Sequence, residues 1–148
     1  MKRASFVVII AAGLIASARL SSGQSQPTSK CLRYEPEVVT FAGTLVRKTF
    51  PGPPNYENVK KGDRAETYWL LDLMTSACVD EDKAEPDLNP AQTGVREIQL
   101  VLQPQQYAQY KALVGKKIVA TGTLYGEHTG HHHTSVLLKV RTLKETSR

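Results

Sequence analysis

The sequence is poor in the residues that most often reveal an activity. Its 148 residues include two cysteines, one tryptophan and four histidines, and all four histidines lie within residues 126–134. The two cysteines are not spaced as C-x-x-C, which argues against a thiol redox motif. No serine, cysteine or acidic motif pairs a nucleophile with an oriented base. We therefore expect a protein that is not an enzyme.

The excess of basic residues is also small. Lys and Arg total 19 against 14 Asp and Glu, which gives a formal net charge of +5. Lys2 and Arg3 are two of the 19 basic residues, so the net charge without them is about +3. The basic residues lack the interleaved aromatic residues of a nucleic-acid surface. Nucleic acid is therefore excluded as an expected partner.

The first residues have the composition of a secretory signal peptide. Lys2 and Arg3 precede an apolar run over residues 6–16, which is too short for a transmembrane helix of about 20 residues. Small residues at positions 16–18 suit cleavage, so we predict a signal peptide over residues 1–18, with cleavage as late as residue 23 as the alternative. The protein is then expected in the periplasm or outside the cell, without a stable membrane anchor.

The cysteines fit the same compartment. An exported chain with an even number of cysteines is expected to form disulfides, and Cys31 and Cys78 are the only two. A bond between them would close a loop of 47 positions, which the chain-entropy model rates at about 4 kcal/mol as an upper estimate. We predict a structural Cys31–Cys78 disulfide.

Five segments alternate between apolar and polar residues, as half-buried strands do. Glycines inside the first and fourth of them, Gly43 and Gly122, indicate bulges or tight bends. The predicted strands are a long one from Glu37 to the proline-rich residues 50–56, and four more over residues 67–73, 95–102, 116–125 and 135–143.

One helix is predicted between the third and fourth strands. Pro104 suits its first position, and Gly115 suits a left-handed C-terminal cap. Three strands, a helix and two strands are the element order of an OB-fold, a five-stranded Greek-key barrel. The predicted fold class is therefore mainly β, an OB-fold-like barrel over residues 37–148 after a leader over residues 19–36. An open five-stranded sheet backed by one helix is the alternative.

In an OB-fold, the loops after the first and fourth strands flank one binding face. The loop after the first strand contains Asn55 and Tyr56, and the loop after the fourth contains His132 and Thr134. These four residues are the predicted binding face. Residues 126–134 are called the histidine loop below.

The histidine loop has the composition of a metal site. His131 and His133 would project from one face if the last strand begins within the loop. His128 would reach them from the other side of the turn, with Glu127 as a further oxygen donor. Because neutral imidazole binds zinc and copper well, we predict a site for one of these ions on His128, His131 and His133.

Several motifs together suggest a family. They include the segments at residues 31–36, 48–56, 66–69, 114–117 and 121–124, and the GHHHT motif at residues 130–134. In these motifs the chain resembles a family of small exported bacterial proteins classified as domain of unknown function 4431. The likeness covers nearly all of the chain after the predicted signal peptide, and the acidic residues 80–90 fit it least. It implies bacterial export, and it implies no activity, cofactor or catalytic residue.

The function predicted from these features is that of an exported binding module. Its binding face lies between the two loops, and its leading ligand is a transition-metal ion. One alternative is a protein-binding inhibitor or immunity-type protein, whose partner on the same face is another exported protein. A small metal-dependent hydrolase is the third hypothesis.

Overall fold

A computed structural model describes residues 30–146, and the predicted signal peptide lies outside this range. The elements, in chain order, are β1 (Val38–Pro51), β2 (Ala65–Val79), β3 (Gln92–Val101), α1 (Pro104–Tyr110), β4 (Lys117–Gly126) and β5 (Val136–Glu145), with 3-10 turns at Val59–Lys61 and Lys111–Leu113. Within residues 30–146, no helix has the length and apolar character needed to cross a membrane.

The five strands form one sheet that closes into a ring in the order β1-β2-β3-β5-β4. All neighbours are antiparallel except β3 and β5, which run parallel. Because β1 pairs with β4 and β3 also pairs with β5, the ring has no free end, and the open sheet is not formed. The predicted mainly β class and the order of its elements are confirmed.

Two glycines allow the strands to pack closely. A Cβ on Gly43 of β1 would collide with the backbone oxygen of Asp72 in β2. A Cβ on Gly122 of β4 would collide with the backbone oxygen of Lys139 in β5, beside an irregularity in the pairing after Thr121. The irregularity predicted at the glycine is present in β4, whereas β1 pairs in continuous register through Gly43.

The core fills the inside of the ring. Alternate residues of β1, among them Phe41 and Leu45, are buried there, as are Trp69 and Leu71 of β2. The predicted alternation of these two strands is thus confirmed.

A second buried row lies on the outer face of the sheet. Leu70, Gln99 and Leu137 are side by side across β2, β3 and β5, since Gln99 is the register partner of both leucines. All three are buried, although their strand positions point away from the core. This row marks the part of the outer face that the loops cover.

The predicted disulfide is confirmed. Cys31 and Cys78 are bonded, with their Cα atoms 4.8 Å apart. Beside them, Leu32 forms a β-bridge with Val79. The segment before β1 is therefore attached to the end of β2, which begins two residues before the predicted start and ends at Val79, six residues beyond the predicted end.

Candidate functional site

The loop between β1 and β2, residues 52–64, is called the proline loop below, and a buried carboxylate organises it. The side chain of Asp63 accepts hydrogen bonds from the backbone N–H groups of Asn55 (2.9 Å), Glu57 (2.8 Å) and Asn58 (2.8 Å). The side-chain amide of Asn55 also donates to it, at 3.2 Å. These hydrogen bonds, that from Asn58 foremost, lower the pKa of Asp63. The loop is thereby held in one shape around an anion.

Tyr56 connects the proline loop to the histidine loop. Its ring lies against Gly130, where an added Cβ would be 3.0 Å from Tyr56 Cε1. The ring also meets His131 edge to face, with 5.7 Å between centroids. Tyr56 has a positive φ of 59° and remains 39% exposed. The two loops predicted to flank one face therefore touch each other.

His131 is held by two residues on the outer face of β2. Its Nδ1 is 2.8 Å from Glu66 Oε2 and 3.1 Å from the hydroxyl of Tyr68. The Tyr68 hydroxyl donates to the same Glu66 oxygen at 2.7 Å. Since a carboxylate can only accept, Nδ1 of His131 carries a proton, and in the neutral imidazole Nε2 is then the nitrogen with the lone pair.

The charge of this group follows from its hydrogen bonds. The Tyr68 hydroxyl, followed by His131, lowers the pKa of Glu66. Burial, followed by the Glu66 carboxylate, raises the pKa of Tyr68 far above its ordinary value. At neutral pH Glu66 is therefore an anion and Tyr68 a neutral donor.

His133 is used for packing. Its ring stacks on Phe50 with 4.1 Å between centroids and 3° between planes, and Tyr68 lies at 5.0 Å. Its Nε2 is buried and has no hydrogen-bond partner among residues 30–146. Burial is also the main reason why the pKa of His133 is lowered. His133 is thus held as a neutral imidazole beneath the loop surface.

Gln99 fastens the histidine loop to β3. Its side-chain amide donates to the backbone oxygen of His131 (2.9 Å) and accepts from the backbone N–H of His133 (2.8 Å). Its backbone N–H donates to Thr134 Oγ1 at 2.9 Å, and that hydroxyl donates to the oxygen of Val136 at 2.7 Å. Thr134, predicted for the binding face, therefore anchors the loop.

The other two histidines lie together beside Tyr125. Nδ1 of His128 donates to the backbone oxygen of Gly126 at 3.1 Å, so in the neutral imidazole Nε2 is the nitrogen with the lone pair. Nδ1 of His132 accepts from the backbone N–H of His128 at 3.1 Å. The two imidazole rings are 4.7 Å apart and pack edge to face. Burial, followed by the neighbouring histidines, lowers the pKa of His132. Glu127 is exposed.

The histidines thus lie in two groups: His131 and His133 both contact Tyr68, and His128 packs against His132. The predicted ligand set of His128, His131 and His133 is not assembled. Among residues 30–146, no three His, Cys, Asp or Glu side chains are placed to hold one metal ion. The physical reason is that β5 begins only at Val136, so strand parity does not order the side chains of the loop.

The acidic segment between β2 and β3 supports the start of the histidine loop. Asn89 is buried, and its Oδ1 accepts from the backbone N–H of Gly126 at 2.8 Å. A small open pocket beside His128 is lined in part by Leu88 and Lys139. The segment is thus tied to β4 at the point where the histidine loop begins.

Sequence reasoning missed Glu66, Tyr68 and Gln99. Glu66 and Tyr68 have the parity opposite to that of Trp69 and Leu71, and this alternation could have placed both on the outer face. The sequence did not indicate a role for Gln99, because it alternates with the apolar residues of its strand and was therefore expected to be exposed.

The comparison with protein families agrees with the resemblance in part, because the match covers far less than nearly the whole chain after the predicted signal peptide. Residues 97–144 match the family described as Domain of unknown function (DUF4431). This range is less than half of the chain and contains Gln99 and the histidine loop, whereas Glu66 and Tyr68 precede it. No curated protein matches the chain. The chain is therefore similar to this family over its last strands, and the similarity identifies no activity.

Proposed function

We propose that this protein is an exported binding module of OB-fold type. Its ligand surface comprises Tyr56, Glu66, Tyr68, His128 and His131. The closed ring and the loops meeting beside one face are what an OB-fold uses for binding. The disulfide is compatible with an oxidising compartment such as the periplasm.

The leading ligand is a transition-metal ion, zinc or copper. One observation carries this proposal: Nδ1 of His131 is 2.8 Å from the Glu66 carboxylate, which leaves Nε2 free to coordinate. Metal-binding histidines usually donate their other ring N–H to a carboxylate or a backbone carbonyl. Nδ1 of His128 donates to a backbone carbonyl in this way, that of Gly126. Both histidines are exposed.

Two imidazoles leave coordination positions open. Tetrahedral zinc takes four ligands, and water or a donor from a partner can fill the positions that the protein does not. His133 can join only if its ring leaves Phe50. His128 packs against His132, so it can join an ion on His131 only if the histidine loop moves. We therefore expect an ion bound first by Nε2 of His131, with His128 and exchangeable ligands completing its shell.

Calorimetric titration of tag-free protein with zinc and with copper at pH 7.5 tests the proposal. We expect one saturable event that weakens near pH 5.5, because imidazole coordinates only when neutral. His131→Asn can still donate to Glu66 but lacks Nε2, so it should lose at least about tenfold in affinity, in the range seen when a metal site is perturbed. His128→Asn should behave likewise.

His132→Asn is the matched control, since asparagine can still accept the N–H of His128. Its affinity should stay close to that of the wild type. Equal small losses in all three variants would indicate a non-specific histidine patch and overturn the proposed site.

A protein partner is the second candidate, because Tyr56 exposes an aromatic ring where the loops meet. Aromatic residues dominate the energy of many protein interfaces. A photo-crosslinking residue at position 56 should then capture one discrete exported protein, and His131→Ala should abolish the product. Position 107, whose tyrosine is also 39% exposed, is the control. This candidate takes first place if neither ion binds more tightly than about millimolar.

A further inference from the structure

The carboxylate of Glu66 is fixed from several directions. Two donors, the Tyr68 hydroxyl and Nδ1 of His131, converge on the same oxygen at 2.7 and 2.8 Å. The side chain of Glu66 is 20% exposed, whereas that of His131 is 49% exposed. The carboxylate is thus the inner member of the pair, and the imidazole is the outer one.

Gly52 provides the space in which Glu66 sits. A Cβ on Gly52 would lie 2.5 Å from Cδ and 2.8 Å from Oε1 of Glu66. The backbone N–H of Gly52 donates to the oxygen of Arg64 at 2.7 Å, which keeps the two strand ends together. Any larger residue at position 52 would therefore push the carboxylate away from its present place.

An exposed ion pair on a protein surface usually contributes little to stability. The Glu66–His131 contact differs, because Tyr68 holds the acceptor and Gln99 holds the backbone of His131 at 2.9 Å. The carboxylate of Glu66 and the main chain of His131 are thus each held by a contact other than the bond between the two side chains. Such preorganisation orients a ligand, and it exceeds what an incidental surface pair would provide.

We propose that Glu66 is the positioning residue of a zinc or copper site in which Nε2 of His131 is the primary ligand. The inference rests on the proposed function. Glu66 fixes the tautomer and the ring plane of His131 and raises the basicity of Nε2. Tyr68 holds the carboxylate, and Gly52 makes room for it.

The test compares Glu66→Gln with Glu97→Gln by calorimetric titration of the tag-free protein with zinc. Removal of such a carboxylate costs about 10- to 100-fold in metal affinity, and we expect this loss for Glu66→Gln. Glu97 is an exposed carboxylate on the same outer face, paired with Lys48, so Glu97→Gln should bind zinc as the wild type does. Equal losses in the two variants would show a general charge effect and overturn the inference.

Glu66→Asp separates position from charge. It keeps the negative charge but is one methylene shorter, so a positioning role predicts a loss of affinity close to that of Glu66→Gln. Wild-type affinity in Glu66→Asp would overturn the inference.

Nitrogen-15 chemical shifts of the imidazoles in the metal-free protein give an independent readout. We expect the Nδ1–H tautomer of His131 in the wild type and a mixture of tautomers in Glu66→Gln. An unchanged tautomer in Glu66→Gln would contradict the positioning role.

The outcomes separate the two proposals. If His131→Asn loses zinc while Glu66→Gln keeps it, the positioning role is wrong and the proposed function stands. If the wild type binds neither ion, the proposed function fails, and the site inference fails with it, whatever the tautomer.

Discussion

The ring of Tyr56 lies over the α-carbon of Gly130, so closely that a Cβ there would be 3.0 Å from Cε1 and 3.1 Å from Cζ. This contact connects the proline loop to the histidine loop. It depends on the absence of a side chain at position 130. The ring can still move outward, because it is 39% exposed.

Alanine at Gly130 and alanine at Gly122 should therefore have different effects. Gly130→Ala should shift the Tyr56 ring and cost less than about 1 kcal/mol of unfolding free energy, as at a surface that can adjust. Gly122→Ala should cost about 2–3 kcal/mol, because its Cβ would collide with the backbone of β5. Urea unfolding measures both, and similar losses would contradict this account of the bend in β4.

Replacement of both cysteines by serine should lower the unfolding free energy by up to about 4 kcal/mol, because the unfolded chain regains the entropy of the closed loop. Urea unfolding of the oxidised wild type and the double variant measures the difference. Thiol titration of the unfolded, unreduced wild type should find no free thiol. Two free thiols would refute the bond.

Gln99→Leu should loosen the histidine loop. It leaves the oxygen of His131 and the N–H of His133 without their partner, which costs about 1–3 kcal/mol when such groups are buried. Hydrogen exchange at the His133 amide should become faster. Gln109→Leu on the exposed side of α1 is the control, with an expected change within about 0.5 kcal/mol. Unchanged exchange at His133 would show that Gln99 does not hold the loop.

Stability should decrease as the pH falls below about 6.5, the value for a histidine in the unfolded chain. Because the pKa of His133 is lowered by burial, the unfolded chain takes up a proton in this range that the folded chain does not. His133→Phe keeps a ring on Phe50 and removes the proton site. Its unfolding free energy, measured from pH 7.5 to 5, should vary less than that of the wild type. An equal slope would exclude His133 as a contributor.

Local sequence patterns predicted the strands, the start of the helix and the disulfide. The alternation around Gly43 and around Gly122 placed both strands, because the period of two residues is set by the backbone itself, and Gly122 marked the irregularity in β4. Pro104 marked the start of α1 for an equally local reason, since its fixed φ suits the first turn. The disulfide followed from the presence of only two cysteines.

Contacts between distant segments could not be predicted in this way. Gln99 has the parity of an exposed residue, and it is buried because a loop more than 30 residues later covers it. His128 pairs with His132 because the turn brings them together, and no strand period applies to the histidine loop. Glu66 acquires its role only when β2 and the histidine loop meet.

Closure of the ring has a consequence for how quickly the chain reaches this state. Val38 pairs with Thr123, and Gln99 pairs in parallel with Leu137, so the ring is sealed by segments far apart in sequence. The chain loses conformational entropy when these long loops close, before the hydrogen bonds between the paired strands can compensate for that loss. Folding should therefore take milliseconds to seconds, as for other small proteins dominated by non-local strand pairs. Until β1 pairs with β4, the edge of β1 is open, and association of the chain with its own copies is then most favoured.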